Sequence, residues 1–233
     1  MTLDRRLNAF REDLADARRA GHVDAPRYAA GRPARIGAPV APCLRRPEAH
    51  APLDTEYLYG EPVDVFDEAD GYAWVQSRDD GYVGYVASAA IAPEGPPPTH
   101  SVSVPMALVY AGPSIKVPVQ QRLPHHALLA LGPEAHVGGE RFHTVHGGGH
   151  ILAQHVAPLG SRETDFVSVA QRYLGTPYLY GGKSWFGIDC SALVQQALKA
   201  VGVAAPRDSD MQAAALGERL PDGSDNLARG DLI

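Results

Sequence analysis

Cys190 is the residue of this sequence best placed to do chemistry. It opens an apolar-periodic run, Leu193, Val194, Ala197, Leu198 and Val201, that predicts a helix over 190–201. It follows a glycine-punctuated loop, Gly181-Gly182-Lys183-Ser184-Trp185-Phe186-Gly187-Ile188-Asp189, whose last residue suits a helix N-cap. Backbone N–H groups at a helix start lack intrahelical partners and carry partial positive charge. They favour a thiolate over a thiol and can donate to an oxyanion forming beside it. A thiol so placed is set for nucleophilic attack on a carbonyl. The other reading is a buried structural thiol, the commoner fate of free cysteine, and position alone leaves both open. The second cysteine, Cys43, lies between Pro42 and Leu44 and reads as a small buried side chain; two cysteines are too few for a disulfide framework.

A helix that presents a thiol needs a body behind it. Phe166, Val169, Ala170 and Tyr173 predict another helix over 165–174, with Thr164 as its cap and Gly175 and Pro177 as its end. Upstream, from about Ala34 to about Pro158, short apolar alternations separated by Pro, Gly and Asp read as small β-barrels. Val63–Phe66 is one strand, Tyr72–Gln76 the next after the turn Asp70-Gly71, and Tyr82–Val86 follows Asp80-Gly81. Glu94-Gly95-Pro96-Pro97-Pro98 is a stiff break. Beyond it the layout returns: Tyr72, Trp74 and Val75 align with Phe142, Thr144 and Val145, and Tyr85-Val86 with His155-Val156, at one constant offset. Two tandem copies of one β unit are expected. At the other end, Leu3, Leu7, Phe10 and Leu14 predict an amphipathic helix stopped at Gly21.

Composition narrows the function classes. The chain has 233 residues, 45% of them hydrophobic, which excludes wholesale disorder. Its net charge is −6 and no basic stripe is present, so nucleic acid is not an expected partner. No apolar run is long enough to span a bilayer, and Met1-Thr2-Leu3-Asp4-Arg5-Arg6 lacks an apolar export segment; a cytoplasmic monomer with no membrane partner is expected.

Four motifs occur in order: Tyr178-Leu179-Tyr180-Gly181-Gly182, Asp189-Cys190-Ser191, Pro206-Arg207-Asp208-Ser209 and Arg229-Gly230-Asp231-Leu232-Ile233. Together, over residues 165–233, they resemble the NlpC family of papain-like bacterial cell-wall cysteine peptidases. Ala192, where that family usually has Gly, and Tyr180, often Trp, depart from its pattern. The two β units upstream make the chain similar to γ-D-glutamyl-L-diamino-acid endopeptidases of the dipeptidyl-peptidase VI type. The resemblance implies a multidomain β plus α+β protein: an N-terminal helix and connector (1–33), SH3-like barrels (34–95 and 99–160), and the N-terminal half of a papain-like domain (161–233). It implies hydrolysis of the γ-D-Glu–diamino-acid bond of murein peptides with a free N-terminal L-Ala, through an acyl-enzyme at Cys190, with no metal or organic cofactor. Segments 54–61 and 80–86 resemble those that wall off the family's cleft.

By that resemblance Cys190 is the nucleophile and the hydroxyl of Tyr178 helps hold the oxyanion. Asp189 cannot activate the thiol, because a neighbouring negative charge raises its pKa; it is expected to bind the substrate's ammonium group while also capping the helix. Tyr82 and Asp54 would assist it, with Glu56 and Glu61 competing for the role of Asp54. Ser191 and Ser209 would hydrogen-bond the peptide backbone or the D-Glu carboxylate. A papain-like peptidase also needs an imidazole beside the thiol and a group to orient it, yet all ten histidines precede Cys190. The expectation is a fragment of a longer protein; a natural inactive truncation and an upstream histidine acting as substitute are the other readings, and a non-catalytic wall-peptide binding protein is the functional alternative. His143, His146, His150 and His155 crowd the glycines 147–149, but strand alternation puts His143 and His146 on opposite faces, and no Cys or carboxylate sits among the four. They read as hairpin residues, not zinc ligands.

Overall fold

The computed structural model describes residues 3–220 and 227–233. Seven strands form the first β unit: β1 (Arg32–Ile36), β2 (Val40–Leu44), β3 (Leu53–Leu58), β4 (Pro62–Ala69), β5 (Tyr72–Ser77), β6 (Val83–Ala87) and β7 (Ile91–Pro93). They make one sheet in the order β3-β2-β6-β5-β4-β1-β7. Alternation sends Ala34, Ile36, Val63, Val65, Ala73 and Val75 into a core shared with Cys43 and Tyr57. A bulge after Val65 shifts the β4–β5 register, and Phe66 packs with Trp74 in a separate cluster outside that core.

That outer cluster decides the N-terminus, where the expected helix does not form. Residues 3–21 instead run as a strap over the first unit, with Ala9 and Leu14 buried against Phe66 and Trp74. The Arg6 carbonyl accepts from Val83 N (2.8 Å) and the Leu7 carbonyl from Gln76 Nε2 (2.9 Å). The Arg11 guanidinium lies 4.8 Å from the Trp74 ring centroid. Ala15–Asp16 pair in parallel with Tyr28–Ala29, and a 3-10 helix spans Ala17–Arg19. Local side-chain bonds compete with a helix as well: Asp4 Oδ1 accepts from Arg6 N (2.9 Å) and Asp16 Oδ1 from Arg18 N (2.9 Å).

The second β unit contains β8 (His100–Val102), β9 (Met106–Tyr110), β10 (Val119–Pro124), β11 (Leu128–Leu129), β12 (Leu131–Val137), β13 (Glu140–Val145), β14 (His150–Leu152) and β15 (Val156–Pro158). They form a five-stranded sheet, β10-β9-β14-β13-β12, and a three-stranded one, β11-β8-β15, around a core that includes Val109, Leu123, Leu129 and Ile151. Each unit follows a hairpin with a 3-10 turn and a short strand: Ser88–Ala90 before β7, Ala153–His155 before β15. Tyr72 faces Ala87 and Phe142 faces Leu152, and in both units the 3-10 turn begins at the next residue. The constant offset therefore holds for β5 and β13 but not for the returning strand. Tyr85-Val86 correspond to His150-Ile151 and not to His155-Val156. The second hairpin returns sooner because Gly147, Gly148 and Gly149 all take positive φ and turn the chain sharply.

The last unit holds α1 (Phe166–Gln171), the short hairpin β16 (Lys183–Ser184) with β17 (Gly187–Ile188), α2 (Cys190–Ala200) and α3 (Ser209–Ala215). Asp165 caps α1, not Thr164: its Oδ1 accepts from Val167 N at 3.1 Å. Val169 of α1 packs on Ala197 and Ala200 of α2. Among the described residues no helix is long and apolar enough to cross a membrane.

The second unit docks on the last one through two buried imidazoles. His125 Nδ1 lies 2.9 Å from the Tyr173 hydroxyl and His126 Nε2 2.9 Å from the Gln196 carbonyl, with the two rings stacked at 3.8 Å. Burial pushes the His125 pKa down from 6.5 to about 4 and that of His126 well below its ordinary value. The folded state therefore refuses a proton that the unfolded chain accepts, so stability falls as pH drops from about 6.5 to about 4. His125 alone accounts for a loss of about 3 kcal/mol across that window. Urea midpoints at pH 7 and pH 4 check this: the drop should be clearly smaller for His125→Asn, and an equal drop in both proteins would rule the imidazole out as its source.

Candidate active site

Cys190 is the first residue of α2 and its side chain is exposed. The loop before it approaches the first β unit closely. Gly181 sits at φ +79 against Leu53 of β3, where an added Cβ would stand 2.8 Å from Leu53 Cγ, so no other residue fits without a shift. Asp189 caps the helix: Oδ1 accepts from Ala192 N (2.7 Å), Ser191 Oγ (3.2 Å) and Arg207 Nη1 (3.0 Å). Its Oδ2 accepts from Gly181 N (3.0 Å) and Arg207 Nη2 (2.8 Å). Five donors fill the acceptor sites of this carboxylate.

Asp189 is thus tied into a buried fork with Arg207, whose side chain is 1% exposed, and has no oxygen left for a substrate ammonium. Ser191 is committed in the same way, donating to Asp189 and accepting from Arg207 Nη1 at 2.9 Å. Arg207 Nε reaches Thr55 Oγ1 of β3 at 2.7 Å, and Gln212 Nε2 donates to the carbonyls of Ser191 and Pro206, both at 2.8 Å. The start of α2 is therefore held from β3, from the loop before α3 and from α3 itself.

Tyr178 stands beside the thiol, 69% exposed and bridged to Ile188. The pKa of its phenol is raised, first by loss of water around the hydroxyl and then by the charges of Cys190 and Asp189. Tyr82 is buried and donates its hydroxyl to Asp208 Oδ2 at 3.1 Å. Burial first, then the charges of Asp208 and Asp54, push this phenol's pKa up, so it remains a donor. Asp54 is occupied: Arg45 Nε reaches its Oδ1 and Oδ2 at 3.0 and 3.2 Å. Asp208 is 23% exposed; its Oδ2 takes Arg6 Nη1 (2.8 Å) and Tyr82, and no hydrogen bond reaches its Oδ1 among the described residues. Ser209 starts α3 and is exposed.

Charged residues of the first unit grip the same domain. Lys183, 2% exposed, places Nζ 3.0 Å from Glu61 Oε1 and 4.0 Å from Asp80 Oδ2. Burial pulls its pKa down, but Glu61 and Asp80 outweigh that and hold the ammonium charged. Glu56 Oε2 accepts from Lys183 N (2.8 Å), and burial raises its pKa. Gln195 Nε2 reaches Asp80 Oδ2 at 3.2 Å, and Lys199 pairs with Asp79. Glu61 and Glu56 therefore brace the site and do not face it. Sequence reasoning gave Arg207, Lys183 and Asp208 no role; the first and last stood in plain view in Pro206-Arg207-Asp208-Ser209.

Among the described residues no imidazole is bonded to the thiol. His126 reaches α2 at Gln196, about 9 Å along the helix axis from Cys190. Among the described residues no group of three or more His, Cys, Asp or Glu is arranged to hold a metal ion. A cavity of about 410 Å³ lies behind α2, lined by Asp80, Lys183, Gln195, Gln196 and Lys199, and one of about 930 Å³ lies under the N-terminal strap. Cys190 lines neither; it stands exposed at a helix start.

Residues 43–91 match the bacterial dipeptidyl-peptidase Sh3 domain and residues 175–233 the NlpC/P60 family. A gamma-D-glutamyl-L-lysine dipeptidyl-peptidase of Bacillus subtilis (strain 168) is 30% identical over 198 residues, covering 78% of this chain and 63% of the relative. A protein of the same name from Bacillus cereus (strain ATCC 10987 / NRS 248) is 26% identical over 207 residues, covering 78% and 59%. The chain thus spans about three fifths of the length of these curated relatives. An NlpC/P60 family protein from Bacillus cereus ATCC 10987 has a similar fold, with a TM-score of 0.67 at 20% identity over 78% of this chain and 77% of that one. The glycine loop, the capped cysteine and the Arg207 fork all fall within residues 175–233, so the segment that matches the NlpC/P60 family is the one that carries the site, and the Sh3 match lies ahead of it.

Proposed function

We propose that the chain forms the acyl side of a cysteine peptidase that hydrolyses γ-D-Glu–diamino-acid bonds in murein peptides bearing a free N-terminal L-Ala. One observation carries this reading: an exposed Cys190 beside Tyr178 at the start of a helix braced on three sides, with the bracing Arg207 followed directly by Asp208, an acid with an open oxygen. The names of the relatives supply the bond class. The second β unit is read as a second SH3-like barrel, from its hairpin, 3-10 turn and returning strand, and the last unit as papain-like.

In this mechanism Cys190 Sγ attacks the γ-carbonyl carbon, and the carbonyl oxygen takes the negative charge. Helix N–H groups and the Tyr178 hydroxyl donate to that oxygen. As the C–N bond breaks the nitrogen takes the proton that the thiol gave up, so the diamino acid leaves as an amine and a thioester remains; water hydrolyses it to the free acid and returns a proton to the sulfur. The substrate ammonium goes to Asp208 Oδ1 and not to Asp189 or Asp54, whose oxygens are taken; Tyr82 and Arg6 orient that carboxylate. Ser209, exposed beside it, is free to bond the peptide. The second reading is wall-peptide binding without turnover; among the described residues the imidazole bonded to α2 is that of His126, at Gln196 and not at Cys190.

The two cysteines make a direct test possible, because Cys43 is buried and only Cys190 is exposed. L-Ala-γ-D-Glu-L-Lys should protect Cys190 from iodoacetamide, and the N-acetylated peptide should not. Equal protection by both would remove the amine pocket; no protection by either would remove the groove. Free lysine released from the same mixture, and absent with Cys190→Ala, separates a peptidase from a binding protein.

A further inference from the structure

The cavity of about 930 Å³ under the N-terminal strap belongs to no part of the site above. Its walls come from the 3-10 turn (Ala17, Arg18, Arg19), the approach to β1 (Ala30, Gly31) and the strands β4 and β5 with the turn that follows (Asp64, Gln76, Ser77, Arg78). We propose that it is a binding site for a small organic oxyanion, a carboxylate or a phosphate monoester, with Arg19 as its principal ligand.

Charge within the walls points that way. The lining residues include three arginines, Arg18, Arg19 and Arg78, and two aspartates, Asp16 and Asp64. Arg78 is held by Asp64, with Nε 2.7 Å from Oδ1, and by Glu94, with Nη1 3.1 Å from Oε1. Arg18 is held by Asp16, with Nε 2.7 Å from Oδ2, and by Asp64, with Nη2 3.3 Å from Oδ2. Asp16 and Asp64 are both buried and fully engaged by these arginines. That leaves Arg19, whose guanidinium has no hydrogen-bond or ion-pair partner among the described residues although it lines the same cavity. An arginine always carries its charge and offers a planar fork of donors that matches a carboxylate or phosphate. The excess in the walls is thus one positive charge with its donors unspent.

The other polar wall groups do not cancel it. Gln76 spends its Nε2 on the carbonyls of Leu7 and Gly81, both at 2.9 Å, and Ser77 Oγ accepts from Asp79 N at 3.0 Å. Ala17, Ala30 and Gly31 keep the remaining wall low, which leaves room for more than a bare ion; the volume is that of a small-molecule site. Gly31 is required for this shape. An added Cβ would stand 2.7 Å from Asp64 Cβ, so a larger residue would push the approach to β1 away from the carboxylate on which both arginines converge.

The test is a calorimetric titration of the 233-residue chain at fixed ionic strength, once with inorganic phosphate and once with acetate. At least one should bind saturably with one site per chain, and the arm that binds tells a phosphate ligand from a carboxylate. Arg19→Gln should weaken that binding roughly tenfold, the worth of a charge-assisted pair. Arg32→Gln, on an exposed residue paired with Glu68 outside the cavity, should leave it unchanged. Absence of saturable binding in both arms, or equal affinity in the Arg19→Gln protein, would overturn the assignment. Neither result bears on the peptide groove, which the alkylation assay reads separately.

Discussion

Arg207→Ala should destabilise the fold by about 3–5 kcal/mol, as breaking a buried pair by removing one partner does. The substitution strips two of the five donors from a carboxylate that stays buried, and it cuts the bond from Nε to Thr55 of the first unit. Arg207→Lys should recover little, since a single ammonium cannot reproduce the fork. Urea denaturation of Arg207→Ala, Asp189→Asn and the double variant gives the coupling directly, and the double variant should be more stable than the sum of the single losses implies. A loss below about 1 kcal/mol for Arg207→Ala would show the pair to be solvated and the account of the helix start to be mistaken. The iodoacetamide rate at Cys190 should change in the same variant, because Asp189 fixes the first turn from which the thiol projects.

Lys183→Met should cost a similar amount, about 3–5 kcal/mol, and for the same reason: Glu61, fully buried, loses the cation at 3.0 Å and keeps only Lys199 Nζ at 4.0 Å. Adding Glu61→Gln should restore part of the loss, since the orphaned charge goes with it. This pair joins two units instead of lying within one. Lys183→Met should therefore also open the seam between the first β unit and α2, seen as faster proteolysis of the segment around residues 79–81. Unchanged stability together with unchanged proteolysis would mean that the packing of Leu53 on Gly181 holds the seam without the ions.

Most of the local features were legible along the chain. Alternation identified β4, β5 and β6, and helical spacing identified α2 with Asp189 as its cap, because short-range hydrogen bonding and side-chain direction decide both. The N-terminal strap was not legible. Leu3, Leu7, Phe10 and Leu14 have the spacing of a helix, but Phe66 and Trp74 offer a surface that buries Leu14 in an extended chain, and Asp4 and Asp16 satisfy backbone donors outside a helix. The offset between the two β units was legible over one strand and lost at the turn, where three glycines shorten the second hairpin.

Taken alone, the order of residues determined that a cysteine opens a helix behind a glycine-rich loop, and which stretches become strands. Only the folded arrangement decided which acids remain available to a ligand. Asp189 is claimed by Arg207, Asp54 by Arg45 and Glu61 by Lys183, which leaves an open oxygen on Asp208. Pairing of charges depends on distance in space and on exclusion of water, and partners brought together from distant parts of a chain leave no periodicity in its sequence.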